Sequence, residues 1–193
     1  MIVTPSIENL AEAARAEGRK GRPPVEAWDP PDCGDIDMEI ARDGTWYYMG
    51  TPIGRPELVR LFASILRREG ARHVLVTPVE KLGIRVEDAP FVVQDFEASG
   101  TGRDQTLTFF TNVADAVTAG PDHPIRVVRD PRTDEPAPYV HVRGRLEALI
   151  DRKSFYRLVE LGRHEARDGG RWFGLWSGGA FFPIIPSAEL PEG

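Results

Sequence analysis

A chain of 193 residues with 41% hydrophobic and 28% charged side chains can bury a sizeable core and falls between one large domain and two small ones. Its 24 Lys and Arg against 30 Asp and Glu leave a net charge of −6, which removes the diffuse attraction that non-specific nucleic-acid binding requires. A single cysteine, Cys33, excludes an internal disulfide and a cysteine-based zinc cage.

The first stretch, Ser6 to Glu17, has Ile7, Leu10, Ala11 and Ala14 on one helical face and then dissolves into glycines and prolines as far as Gly34. Residues 1–34 therefore read as an N-terminal arm that packs on the domain or frays. The opening residues lack the order of a signal peptide, and no run approaches the length of a membrane span, so a cytoplasmic protein without membrane contact is expected.

From Asp35 the chain alternates strictly: Ile36, Met38 and Ile40 on one face, acids on the other. Asp43-Gly44 supplies the positive φ angles of a tight turn, and Thr45 to Met49 returns as an aromatic-rich strand. The acids read as a solvated face rather than a metal or acid–base cluster. A helix follows, with Pro56 at its first position, Leu58, Leu61, Phe62, Ile65 and Leu66 along one stripe, and Arg67, Arg68 and Gly70 as its last turn and cap. On that reading Arg60 and Arg67 face solvent or the other half.

Short strands are then expected at 73–77, 83–86, 91–96, 106–111 and 125–128. After the proline-rich turn at 130–138 come a long strand over 139–150, a second helix from Arg152 to about Arg167, and strands at 171–176 and 180–185. Arg55-Pro56-Glu57-Leu58-Val59-Arg60-Leu61 and Arg152-Lys153-Ser154-Phe155-Tyr156-Arg157-Leu158 share their spacing 97 residues apart, each preceded by an extended stretch ending in isoleucine. The fold class is therefore α+β: duplicated strand-helix units with curved antiparallel sheets, divided into an arm (1–34), a first repeat domain (35–105) and a second (106–193).

Three segments offer chemistry. Thr77-Pro78-Val79-Glu80-Lys81 presents a hydroxyl, a carboxylate and an ammonium at a stiffened bend. Thr111-Asn112 with Asp115, and His123-Pro124 in a loop, place amide, acid and imidazole groups at strand exits. Alternation over Tyr139 to Arg145 puts Tyr139, His141, Arg143 and Arg145 on one face, an aromatic-plus-guanidinium surface suited to an anionic, ring-bearing ligand. No nucleophile elbow, phosphate loop, dinucleotide fingerprint or zinc motif is present, and His73, His123, His141 and His164 share no ligand spacing, so no metal or cofactor is expected.

Ile40-Ala41-Arg42-Asp43-Gly44-Thr45-Trp46-Tyr47-Tyr48, then Thr51-Pro52-Ile53, Arg55, the Leu58 to Phe62 helix, Thr77 to Lys81, Glu87 to Phe91, Thr111-Asn112 and His123-Pro124 together resemble the bacterial domain-of-unknown-function 1285 family. The resemblance covers about Asp35 to Ile185. It implies a duplicated α+β core, a C-terminal half superficially like a pleckstrin-homology fold, and a ligand site between the halves for a nucleotide-like molecule in signal transduction. It carries no catalytic residues; Trp46, Thr77, Glu80, Lys81, Asn112 and His123 match its motif positions, while His141 and Arg145 are tied to no family position and rest on alternation alone.

The leading expectation is a sensor module in which Lys81 and Arg143 face the anion, Trp46 or Tyr139 stacks on its ring, and Glu80 and Asn112 orient it. The alternatives are a hydrolase or transferase using Glu80 or Asp115 as general base, and a protein-interaction module docking a partner on the aromatic segment Trp172 to Phe182.

Overall fold

The computed structural model describes residues 6–19 and 21–191; the first five positions of the expected arm, and its residue 20, lie outside it. Two compact units divide the chain, the first comprising Met1–Pro90 with Gly144–Leu146 and the second Phe91–Arg143 with Glu147–Gly193. The expected boundary at 105/106 falls inside a β-hairpin whose strands pair from Val93↔Thr111 to Ser99↔Thr106, while the division between units comes at Pro90/Phe91.

In the first unit, helix α1 (Ile7–Gly18) opens on Ser6, whose side chain accepts the Asn9 N–H, and buries Leu10, Ala11 and Ala14 against α2 (Pro56–Ser64). The expected arm thus contributes core. Strand β1 (Asp32–Ile40) begins three residues before the alternation does, with β2 (Trp46–Tyr48) and β3 (Thr51–Pro52) following. Beyond α2 come β4 (Leu66–Glu69), β5 (Arg72–Val76) and β6 (Lys81–Val86). The sheet order is β3-β2-β1-β6-β5-β4, and β1 and β6 pair in parallel.

As the alternation requires, Ile36, Met38 and Ile40 are buried, while the acids face outward onto arginines: Asp32 and Asp35 onto Arg72, Asp37 and Glu39 onto Arg85. In the first turn Gly44 alone takes a positive φ, and Asp43 instead caps through its side chain by accepting the Thr45 N–H. A Cβ at Gly83 would fall on Asp35 Oδ1 and the Arg72 guanidinium, so a larger residue here would displace that ion pair.

The first helix is shorter than the stripe implies. It ends at Ser64, and Leu66–Glu69 forms a strand that turns back at Gly70 (φ 60°) to pair Leu66↔Leu75 and Arg67↔Val74. Gly70 serves a hairpin rather than a helix cap, because the apolar run Val74-Leu75-Val76 takes strand neighbours on both sides. Arg67, read from the stripe as facing outward, is 7% exposed. Its Nη1 donates to the carbonyls of Val25 and Trp28, both at 2.7 Å, and its Nη2 to Glu69, tying residues 25–28 to the sheet.

The second unit begins with β7 (Phe91–Ser99), β8 (Thr106–Thr111) and β9 (Ala116–Thr118), continues with β10 (Ile125–Arg129), β11 (Pro136–Arg143) and β12 (Leu146–Ile150), and orders them β10-β11-β12-β7-β8-β9. The expected long strand over 139–150 is broken at Gly144 (φ 51°). Helix α3 (Arg152–Val159) is capped by Asp151, and it too stops early, leading into the antiparallel sheet β13 (Arg163–Arg167), β14 (Gly170–Ser177) and β15 (Ala180–Pro186). Phe91, Val93, Leu107, Phe109, Val140, Ala148, Leu158 and Leu175 fill the core.

The duplication is visible as an element order. Three strands, a helix and three strands run as β1-β2-β3-α2-β4-β5-β6 in the first unit and β10-β11-β12-α3-β13-β14-β15 in the second. The last strand of each set returns beside the first: β6 pairs with β1, and β15 lies against β10. Strands β7 to β9 are an addition to the second copy. The chain is therefore α+β with two similar halves, as the repeated helix starts imply. Among the described residues no helix is long and apolar enough to cross a membrane.

Candidate functional site

Trp46, Thr77, Glu80 and Lys81 belong to the first unit. Trp46 is 1% exposed and lies within the core beneath β1 and β2, so its ring offers no face on which a ligand could stack. Thr77 is fully buried and works as a turn cap: its hydroxyl accepts the N–H of Glu80 at 3.2 Å, and its own N–H donates to the Glu80 carbonyl. Lys81 Nζ donates to both carboxylate oxygens of Glu69, at 3.2 and 3.1 Å. That carboxylate, held first by Arg67 and then by Lys81, sits below its ordinary pKa. The ammonium expected to meet an anion is thereby engaged within the sheet.

Asn112, His123, Tyr139 and Arg143 belong to the second unit. The side-chain oxygen of Asn112 accepts the Val92 N–H, and its own N–H donates to the Val92 carbonyl, so the residue clamps the β8–β9 turn to β7. The turn is closed by the Thr111 hydroxyl, which accepts the Asp115 N–H, and it presents the Asp115 carboxylate 3.5 Å from the Arg143 guanidinium. Arg143 also lies over the ring of Phe91. Tyr139 is buried; its ring is covered by Arg126, which is itself held by Glu147 at 3.1 and 2.7 Å. Alternation holds for Tyr139, His141 and Arg143 on one face of β11 but not for Arg145, which lies past the strand end in the Gly144 turn, and intramolecular partners already cover the tyrosine and engage the arginine. The same face brings His141 against His123, two histidines 18 residues apart in sequence.

One concave feature escaped sequence reasoning. A cleft of about 400 Å³ is lined by Arg15 of α1 and by Arg55, Glu57, Leu58 and Leu61 at the start of α2. Arg15 and Arg55 are exposed and have no carboxylate partner among the described residues. Leu58 and Leu61, read as part of a buried stripe, are only half-buried, because Phe62 and Ala63 make the deep contact of α2. The signal was the Arg55-Pro56-Glu57-Leu58 helix start, but nothing in a linear sequence shows that Arg15 comes to the same cleft. A second depression, of about 290 Å³, is walled by Asp37, Glu39, Tyr47 and Arg85, whose charges are paired with one another.

Two family models account for most of the chain: the N-terminal domain of a domain of unknown function, DUF1285, over residues 23–89, and the C-terminal domain of the DUF1285 protein of unknown function over residues 90–184. The chain belongs to the DUF1285 family. The two DUF1285 models meet at 89/90, one residue before the compact units divide at Pro90/Phe91. A DUF1285 family protein from Silicibacter pomeroyi DSS-3, solved by crystallography, is 63% identical with a TM-score of 0.86 over 95% of this chain and 98% of its own. A second, from Shewanella baltica OS155, is 27% identical with a TM-score of 0.51 over 64% of this chain and 90% of its own. No curated protein matches the chain. Helix α1, and with it Arg15, precedes the residues matched by the DUF1285 models, so the cleft combines a segment outside the family pattern with one inside it.

Proposed function

We propose that this DUF1285 protein is a binding module for a small anion that carries an apolar or ring-bearing body, a nucleotide-like molecule being the best fit, and that it holds the ligand in the α1–α2 cleft of the first unit. The observation behind the reading is that two guanidiniums without a carboxylate partner among the described residues, Arg15 and Arg55, share one cleft of about 400 Å³ with two half-buried leucines, Leu58 and Leu61. That volume suits a small-molecule ligand, and the forked donors of arginine suit phosphate or carboxylate oxygens. Glu57, on the same rim, would accept hydrogen bonds from ligand hydroxyl or amino groups and penalise ligands made of anionic groups alone. Lys81 and Arg143 are not needed as anion contacts, since Glu69 and Asp115 face them.

Thermal-shift screening of the purified chain against mono-, di- and cyclic nucleotides and inorganic phosphate tests the proposal. A ligand present at a hundred times its Kd adds about 2.7 kcal/mol, which raises the midpoint of a chain this size by about 5–11 °C. The shift should appear with a nucleotide class, be smaller with phosphate alone, and vanish in Arg15→Ala and Arg55→Ala. A shift that survives both substitutions would reject the cleft, and no shift with any anion would reject the ligand class.

A further inference from the structure

The geometry points to a second site, for a divalent transition-metal ion of the zinc class, between His123 and His141 in the second unit. Their Nδ1 atoms stand 3.3 Å apart, and His123 Nδ1 stands 3.2 Å from the carbonyl oxygen of His141. Two nitrogens bound at about 2.0–2.1 Å to one tetrahedral ion lie about 3.3–3.4 Å apart, whereas a square-planar centre brings neighbours to about 2.9 Å. These two separations, bridged by an imidazole N–H as hydrogen bonds when no ion is bound, match two edges of a tetrahedron that an ion of this size would fill, the bridging proton being released on binding.

Backbone pairing fixes the main chain of both histidines. His123 exchanges two hydrogen bonds with Gly120, each 3.1 Å, and the His141 N–H donates to the Pro124 carbonyl at 3.0 Å. The donors therefore sit on paired backbone rather than on a free loop, which lowers the ordering cost of binding. The rings are tilted by 32° with centroids 5.3 Å apart, and both residues are half-buried, so an ion has a route in. No third His, Cys, Asp or Glu side chain completes the set among the described residues. Water fills what remains, which makes the site open and exchangeable rather than a closed structural centre. Imidazole donors favour Zn²⁺, Ni²⁺ or Cu²⁺ over Mg²⁺ and Ca²⁺. Sequence spacing hid the pair because the two histidines lie on separate segments, one before β10 and one in β11.

The test is a calorimetric titration of the untagged full chain with Zn²⁺ and, separately, Mg²⁺, together with long-range 1H–15N spectra that resolve each imidazole nitrogen. We expect one equivalent of Zn²⁺ to bind and Mg²⁺ not to. The Nδ1 resonances of His123 and His141 should move while those of His73 and His164 stay in place. His123→Gln and His141→Gln should each weaken Zn²⁺ binding by about tenfold or more. Absence of saturable Zn²⁺ binding, binding unaltered in both variants, or shifts confined to other histidines would each overturn the assignment. Should a variant fail to fold, the spectra of the parent protein decide alone.

Discussion

Replacing Arg67 with methionine keeps the buried side-chain stem and removes the guanidinium that ties residues 25–28 to strand β4. Two carbonyl oxygens, of Val25 and Trp28, lose charged donors at 2.7 Å, and Glu69 loses one of its two cationic partners, keeping Lys81. A hydrogen bond to a charged group contributes about 1.5–3 kcal/mol, but Val25 and Trp28 are only half-buried and water can recover part of the loss. The net cost is therefore about 2–4 kcal/mol, or about 10 °C in the midpoint of a chain of this length. Urea unfolding followed by circular dichroism should show the midpoint falling with the slope unchanged. Hydrogen exchange should accelerate first at Ala27 and Trp28, whose amides close the short turn there. If Arg67→Met stays within about 0.5 kcal/mol of the parent, the range of ordinary surface changes, the tie is not what holds this segment.

Three further outcomes follow from the same geometry. Burial, and then the nearby Arg68 charge, push His73 down to about 4 from an ordinary value of 6.5. The unfolded chain therefore takes up its proton first, and stability should fall as pH drops from about 6.5 to about 4, by at most about 3 kcal/mol; His73→Leu should flatten that part of the profile in pH-dependent denaturation, and an unchanged profile would contradict the assignment. Ser177, fully buried, accepts the Leu107 N–H at 2.9 Å and donates to the Ala119 carbonyl at 2.7 Å, so Ser177→Ala should cost about 1–3 kcal/mol in chemical denaturation, against near neutrality if the hydroxyl were incidental. Trp46→Phe should destabilise the fold yet leave nucleotide-induced thermal shifts intact at matched fractions folded; loss of the shift alone would return Trp46 to the ligand site.

How much of this was legible depends on whether the signal was local. The hairpin from Asp35 to Tyr48 could be read directly, because strict alternation and an Asp-Gly turn are both short-range, and the duplication showed through two helix starts of like spacing. Helix ends were not legible. Leu58, Leu61, Phe62, Ile65 and Leu66 fit a helical stripe, yet the last two belong beyond the helix, where strand pairing to Leu75 outweighs local periodicity. The same override shortens the second helix, whose expected end, Arg163 to Arg167, pairs with β14. For the candidate site, sequence picked out polar residues at strand exits and offered them as ligand contacts, but it could not show that Glu69 reaches Lys81 or that Asp115 reaches Arg143. Nor could it bring Arg15 to Arg55 or His123 to His141, since each pair meets through tertiary packing alone.

The central claim, an anion held in the α1–α2 cleft, is tested most directly by recording 1H–15N spectra of the intact labelled chain during titration with adenosine monophosphate and, separately, inorganic phosphate. The account predicts saturable shifts concentrated on the amides of Arg15, Arg55 and Glu57 to Leu61, abolished in the Arg15→Ala, Arg55→Ala double variant. Saturable shifts centred elsewhere, or none with either anion, would contradict it.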